Sequence, residues 1–475
     1  MYHPALGVRG RMRANARRPP GIGRASRGGM TTRAGTPPAP QRSPALTPTN
    51  GPAVRAPAAP GRIEVAEPII QIVDDLVRQG LQDGASDIHV EPHADRLLVR
   101  ARVDGFLARA RELPLALHGA IVSRIKIMAS LDIAERRVPQ DGHIRIRSAG
   151  GDAYLRVSTL PARHGEKVVL RLFEPGRGLL ALEKLGFSEE QLTAVSAMLG
   201  HSHGMLLVTG PTGCGKTTTL RACIHRLRAD HLNIISVEDP IEYEIAGITQ
   251  VQINERVGLT FADALRAILR QDPNIVMLGE IRDAETAEMA VRASLTGHLL
   301  LSTMHTNDAA SAILRLVNLG VDPYLLAAST IGVIGQRLVR LVCAGCRVPA
   351  PLPAAFLEQF PLLGDPAASP ARGAGCPRCR QSGYLGRTAI YELLPLDTRT
   401  RALLARETGG SRFHEAVRRA RLPTLFDDGL RKVAGGWTTL EEVLRVATPP
   451  AARESDGPGG AVHWFPKRAR GRQPS

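Results

Sequence analysis

The stretch Gly210-Pro-Thr-Gly-Cys-Gly-Lys-Thr217 constrains this chain more than any other. It follows directly on the apolar run Met205-Leu-Leu-Val-Thr209 and leads into helix-compatible residues 218–228. Strand, glycine-rich turn and helix in that order are the context that a GxxxxGK[ST] phosphate loop needs. Its glycines let backbone amides curl around phosphate oxygens, and the helix N-terminus adds positive potential. Gly210, Pro211, Thr212, Gly213, Cys214, Gly215, Lys216, Thr217 and Thr218 are therefore the candidate nucleotide-binding residues. Lys216 is placed to bridge the β- and γ-phosphates, and Thr217 to offer a hydroxyl to Mg²⁺.

Binding does not by itself give turnover, which needs carboxylates near the metal and the attacking water. The run Ile275-Val-Met-Leu278 ends on Gly279-Glu280, where many phosphate-binding enzymes carry an Asp followed by a Glu. A second carboxylate has to come from elsewhere. The run Ile234-Ile-Ser-Val237 leads into Glu238-Asp239-Pro240-Ile241-Glu242, and Leu299-Leu-Leu-Ser-Thr303 delivers Met304-His305-Thr306-Asn307. Groups at the carboxyl ends of parallel strands share one rim, where such sheets bind ligands. Pro240 ends its strand there. Glu238, Glu280 and His305 are thus candidates for hydrolysis, His305 as a donor to the γ-phosphate.

Strand-like and helical stretches alternate from about residue 180, which predicts a mainly parallel sheet flanked by helices. Residues 63–178 read differently: a helical pattern over 68–82, then short alternating runs, a small α+β domain. Residues 179–449 form the nucleotide domain, which closes on a helical C-terminal portion. The net charge of +16 belongs to the ends. Residues 1–62 hold eleven Arg and no Lys, Asp or Glu, and residues 451–475 add +3, leaving +2 for the 388 residues between. Both ends, 1–62 and 450–475, are rich in Pro, Gly, Ala and Arg, and are expected to be disordered because they bury too little apolar surface. A nearly neutral folded part argues against specific nucleic-acid binding, which needs clustered Lys and Arg on a folded face. No run approaches the ~18 apolar residues of a membrane span.

All six cysteines lie after residue 213, four of them as Cys343-Ala-Gly-Cys346 and Cys376-Pro-Arg-Cys379. Two CxxC knuckles present four thiolates tetrahedrally, which suits structural Zn²⁺ and leaves no open position for chemistry. The metal module spans residues 341–390.

These residues resemble the secretion traffic ATPases of type II secretion and type IV pilus assembly, and most closely the secretion members. The matching elements include Ala85-Ser-Asp-Ile-His-Val-Glu-Pro92, Arg137-Val-Pro-Gln-Asp-Gly142, the phosphate loop, Val237-Glu-Asp-Pro-Ile-Glu242, Gly279-Glu-Ile-Arg-Asp283 and Thr303-Met-His-Thr-Asn307. They run over about residues 65–449 in the family's order. The resemblance implies an α/β fold: a RecA-like P-loop ATPase domain, preceded by a PAS-like α+β domain and carrying a tetracysteine zinc module. It implies ATP and Mg²⁺, with Glu238 as the catalytic glutamate and Glu280 assisting the metal. Arg156 and Arg171 match two arginines of the smaller domain that reach the phosphates. It further implies a homohexamer, cytoplasmic and peripheral at a Gram-negative inner membrane. The membrane would be reached only through partners, an inner-membrane platform protein and the cytoplasmic domain of a bitopic secretion protein. The work implied is pseudopilus assembly for protein export, with pilus extension or DNA uptake as the sibling alternative. A zinc-knuckle nucleic-acid-binding protein is the alternative of another class. Fuller family members carry an extra docking domain where this chain has its Arg/Pro-rich segment.

Overall fold

Two sheets of opposite character organise the chain, both within the unit formed by residues 64–475. A computed structural model describes residues 67–148, 151–173, 180–242, 244–352, 356–357, 360, 368–406, 410–419 and 422–449. The two expected tails and the expected boundary at 178/179 lie outside the described residues.

The first sheet is antiparallel. Helix α1 (Glu67–Gln82) precedes strands β1 (Ala85–Pro92), β2 (Arg96–Val103) and β3 (Phe106–Pro114). Helix α2 (His118–Met128) then leads to β4 (Gln140–Ser148), β5 (Gly151–Ala162) and β6 (Gly165–Phe173). Their order is β3-β2-β1-β6-β5-β4. Alternation decides its two faces, because successive strand side chains point to opposite sides. Ile88, Val90, Leu97, Val99, Leu155, Val157, Val168 and Leu170 all turn to one side. There they meet Ile69, Val73, Leu76 and Val77 of α1, spaced i, i+4, i+7, i+8, together with Ile121, Val122 and Ile125 of α2. The intervening residues, many of them charged, make the other face. Lys126 of α2 is buried at 1% exposure, 2.6 Å from Glu166 of β6, and donates to the Glu135 carbonyl. Strand β3, mostly exposed and carrying Arg109, Arg111 and Glu112, shows no clean apolar alternation and is not evident from the sequence.

The second sheet is buried on both faces. Its strands are β7 (Gly204–Thr209), β8 (Ile234–Glu238), β9 (Thr249–Gln252), β10 (Ile275–Leu278), β11 (Leu299–Met304), β12 (Thr330–Val342) and β15 (Tyr384–Pro395), in the order β15-β12-β7-β11-β10-β8-β9. All pairs are parallel except β12–β15. Leu206 and Val208 of β7 pack with α3 (Glu189–Leu199) and α4 (Lys216–Leu227) on one side. Met205 and Leu207 pack on the other side with α5 (Phe261–Ile268), α6 (Ala284–Leu295), α7 (Ala309–Asn318) and α8 (Pro323–Ser329). Two covered faces explain why these strands read as continuous apolar runs. Each such buried Leu or Val contributes about 1.5–3 kcal/mol relative to exposure.

The C-terminal portion, expected to be helical, instead opens with the 12-residue strand β15 before helices Thr398–Arg406, Gly410–Arg419, Leu425–Ala434 and Leu440–Val446. Leu425, Phe426, Leu430, Val433 and Val443 of the last two helices pack onto Val339 of β12 and Ile390 of β15. A two-stranded ribbon, β13 (Arg347–Pro349) with β14 (Ala371–Gly373), lies beside the cysteines.

Candidate active site

The loop between β7 and α4 owes its shape to glycine. Gly213 and Gly215 have φ of 78° and 88°, left-handed values that side chains avoid. A Cβ on Gly210 would come within 2.5 Å of both the Cys214 Sγ and the Gln336 carbonyl oxygen. Only a bare backbone fits, and this leaves a cradle of the kind a phosphate chain requires. Gly210 and Cys214 are buried, Pro211, Thr212, Gly213 and Thr217 are exposed, and Thr218 is half-buried.

Lys216, the first residue of α4, is 8% exposed. Its Nζ donates to the carbonyls of Gly210 at 2.9 Å and Pro211 at 3.1 Å, and burial pushes its pKa below the usual lysine range. It lies 3.5 Å from the His305 Nδ1. On its other side the His305 ring places Nε2 3.2 Å from the Glu280 carboxylate. Arg282 also pairs with Glu280. Lys216, His305 and Glu280 therefore form one line across the ends of β7, β11 and β10, as the rim argument expected.

Glu238 ends β8 on the same rim but in a different setting. At 4% exposure it accepts from Arg221 Nη2 at 2.8 Å, Ser236 Oγ at 2.9 Å and Gln250 Nε2 at 2.9 Å. Arg221, on α4, also reaches Glu242 at 3.1 Å. Among the described residues these three donors take three of the carboxylate's four lone-pair sites. Held by these donors on a buried strand end, the carboxylate is a fixed acceptor, an arrangement suited to orienting a water.

Three further residues of the site were not legible in advance. Gln336 of β12 donates from Nε2 to the Cys214 carbonyl at 2.7 Å and accepts from Thr219 Oγ1 at 2.7 Å, joining loop to strand. Arg337 donates to the Asn307 carbonyl at 2.7 Å, which ties the His305 segment to β12. Arg221 is the third. Thr209 and Thr306 complete the seam through a 2.7 Å hydroxyl contact.

Arg156 and Arg171 lie elsewhere. They face each other on β5 and β6, with side chains 45% and 55% exposed and nearest acids Asp141 at 3.8 Å and Asp87 at 3.0 Å. Among the described residues neither makes a hydrogen bond or ion pair to residues 210–218. The structure joins the two arginines to each other and not to the loop.

The four cysteines do converge. All four sulfurs fall within 4.8 Å of one another, with Cys343–Cys376, Cys346–Cys379 and Cys376–Cys379 at 3.9, 3.7 and 3.7 Å. Four thiolates ~2.3 Å from a tetrahedral Zn²⁺ stand about 3.8 Å apart, so the set fits that ion. Burial pulls the Cys379 thiol upward, but the amides of Cys376 and Gly383 outweigh it and bring its pKa down to about 6.

Comparison with known proteins agrees with this architecture. The family profile described as "Type II/IV secretion system protein" matches residues 63–445. The type II secretion system protein HxcR of Pseudomonas aeruginosa is 51% identical over 379 residues, 80% of this chain and 77% of the relative. The type II secretion system ATPase E of Vibrio cholerae is 47% identical over 382 residues, 80% and 75% of the two chains. Among solved structures, the pilus retraction motor PilT with bound ADP aligns at a TM-score of 0.55 and 26% identity, covering 80% of this chain and 97% of that one. The Legionella pneumophila ATPase DotB aligns at 0.59 over 82% and 97%, at 22% identity, and shows the fold alone.

Proposed function

The chain belongs to the Type II/IV secretion system protein family, and on that premise we propose how its residues hydrolyse ATP to drive type II secretion. It is an ATPase of protein transport, like relatives about half identical to it. The observation that carries the residue assignment is the rim itself, where Lys216, His305, Glu280 and Glu238 sit at the ends of neighbouring strands. The ADP bound in the PilT structure supports nucleotide binding by this chain.

In this reading residues 210–218 hold the phosphates through backbone amides and Lys216. Thr217 and Glu280 would hold Mg²⁺, which would supply neutralisation of phosphate charge. His305, already bridging Lys216 and Glu280, donates to the γ-phosphate and registers its loss. Glu238 directs the attacking water. Arg156 and Arg171 neutralise charge spreading over the γ-phosphoryl oxygens. Cys343, Cys346, Cys376 and Cys379 hold Zn²⁺ as a structural ion. The PAS-like reading of the first sheet draws support from its order, in which the first and last strands, β1 and β6, are central neighbours.

The working form is a hexamer at the cytoplasmic side of the inner membrane, engaging a platform protein and a bitopic partner to drive pseudopilus assembly. No described helix is long and apolar enough to cross a membrane, which accords with attachment through partners. The test is phosphate release from Mg²⁺-ATP by the purified chain, with Lys216→Ala beside it. The parent should turn over ATP and the variant should not. Equal rates would overturn the assignment of the loop.

A further inference from the structure

The exposed face of the antiparallel sheet carries its charges in rows. Register pairs His143 with Arg156, Arg156 with Arg171, Arg171 with Asp87, and Asp87 with Arg102. Five side chains from five neighbouring strands thus stand in one line across the sheet. Residues directly opposite lie about 4.5–5.5 Å apart at Cβ, and like charges so placed repel. Arg156 and Arg171 form such a pair, and an acid in the same line offsets the repulsion.

That acid is Asp87, only 6% exposed. Its Oδ1 accepts from the Nε of Arg171 at 3.0 Å. Its Oδ2 accepts from Ser86 Oγ at 2.8 Å and lies 3.5 Å from the Nε of Arg102. The contact to Arg171 uses Nε alone, so Asp87 fixes the root of the guanidinium without engaging either terminal nitrogen. A planar fork held at Nε keeps both terminal nitrogens, with four N–H donors, for phosphate oxygens. Arg171 remains 55% exposed at its side chain, accessible to an anion.

We infer that Asp87 is a positioning residue for ATP hydrolysis: it holds Arg171 by Nε so that the terminal nitrogens are presented, beside Arg156, to the phosphates. The inference rests on the phosphate role proposed for Arg171. It asks of Asp87 no contact with nucleotide, metal or water.

The same strand contains its own control. Four residues along β1, Glu91 is 8% exposed and makes a clamp of the same kind, with Arg100 Nε and Nη2 at 2.7 and 2.9 Å and Lys167 Nζ at 2.8 Å. Neither Arg100 nor Lys167 has a part in the proposed reaction. Loss of a buried carboxylate from β1 weakens the sheet in either case, but only at Asp87 does it free a phosphate-directed arginine.

The experiment compares phosphate release and melting temperature for the full chain and four variants: Asp87→Asn, Glu91→Gln, Arg171→Ala, and the double variant of Asp87 and Arg171. Asp87→Asn should lower kcat about 10–100-fold, as misplacement by about 1 Å does, while moving the KM for ATP less than ~3-fold. Glu91→Gln should lower the melting temperature similarly yet keep kcat within about 2-fold, because it misplaces no reacting group. In the Arg171→Ala background the Asp87 change should add nothing, the non-additivity expected of residues acting as a unit. Equal kcat losses from the Asp87 and Glu91 variants would overturn the inference, as would an Asp87 loss that persists without Arg171. If Arg171→Ala itself leaves turnover intact, it is the phosphate role of Arg171 that fails. Should Asp87→Asn not fold, Asp87→Glu keeps the charge but shifts it by one methylene, and the same cycle with Arg171 applies.

Discussion

The two sheets place charge by opposite rules. In the parallel sheet the central strands β7, β11, β10 and β8 are apolar along their length, and their ionisable groups appear where a strand runs out, at Glu238, Glu280 and His305. In the antiparallel sheet one face carries many charges, and groups such as Arg156, Arg171 and Asp87 sit in mid-strand. At the rim the chain's own path fixes a side chain, since a buried strand cannot slide without moving its core residues. On the open face a long side chain is fixed only by what stands opposite it. The first arrangement suits groups that must not move. The second suits groups that reach a ligand and let go.

The comparison can be broken or sharpened, beginning with the largest effect. The tetracysteine set begins just past the carboxyl end of β12, which runs beyond the end of β7, and thiolate zinc sites carry about 10–16 kcal/mol of binding free energy. Cys376→Ser or prolonged chelation should take the zinc content, read by emission spectroscopy, from one ion per chain to none, and lower the melting temperature. Unchanged metal content after the substitution would refute the ligand set. Next, Glu238→Gln should lower kcat by roughly 10³-fold while ATP, followed by fluorescent-analogue displacement, still binds within ~3-fold of the parent. Normal turnover would remove Glu238 from the site.

Lys126→Met probes the other sheet. It leaves Glu166 buried without its cation and should cost about 3 kcal/mol of unfolding free energy in urea, as broken buried pairs do, with kcat per folded molecule unchanged. A kcat loss without a stability loss would erase the distinction between the sheets. The smallest effect concerns acid. Burial alone would raise the Glu91 carboxyl, but Arg100 and Lys167 hold it well down, from the ordinary 4.5 to about 2. A depressed folded pKa means stability present above about 4.5 and lost as the pH falls toward 2. The melting temperature should drop through that window, and Glu91→Gln should flatten the drop. At such a partly exposed ion pair the change is about 1 kcal/mol or less.

What the sequence revealed follows the same division. The rim was legible because each strand there is a short apolar run ending in a polar cluster, and chain order alone brings such ends together. Arg221 was not, since nothing in a helix marks which arginine will turn back onto a strand 17 residues later. Its pairing also changes what Glu238 can do, a consequence invisible in Val237-Glu-Asp-Pro240. Strand β12 escaped for another reason. Residues 330–342 carry Gly332, Gly335 and two arginines among their apolar residues, so neither a clean alternation nor a helical period stands out. With β12 went Gln336 and Arg337. The charged row on the first sheet depends on register between strands, which no local pattern records.

Strand β12 has a mechanical meaning as well. Gln336, which grips the phosphate loop from the middle of this 13-residue strand, and Cys343, the residue just past its end, are seven residues apart, about 23 Å at ~3.3 Å per residue. Ten register pairs bind this strand to β15, which carries on past the second cysteine knuckle. The second half of β12 is held at mid-strand by the Gln336 amide at the loop and, just past its carboxyl end, by the four cysteines. Load on the cysteine module would reach the phosphate loop along this span, and the shift in pairing register between Arg340 and Val342 lies between the two.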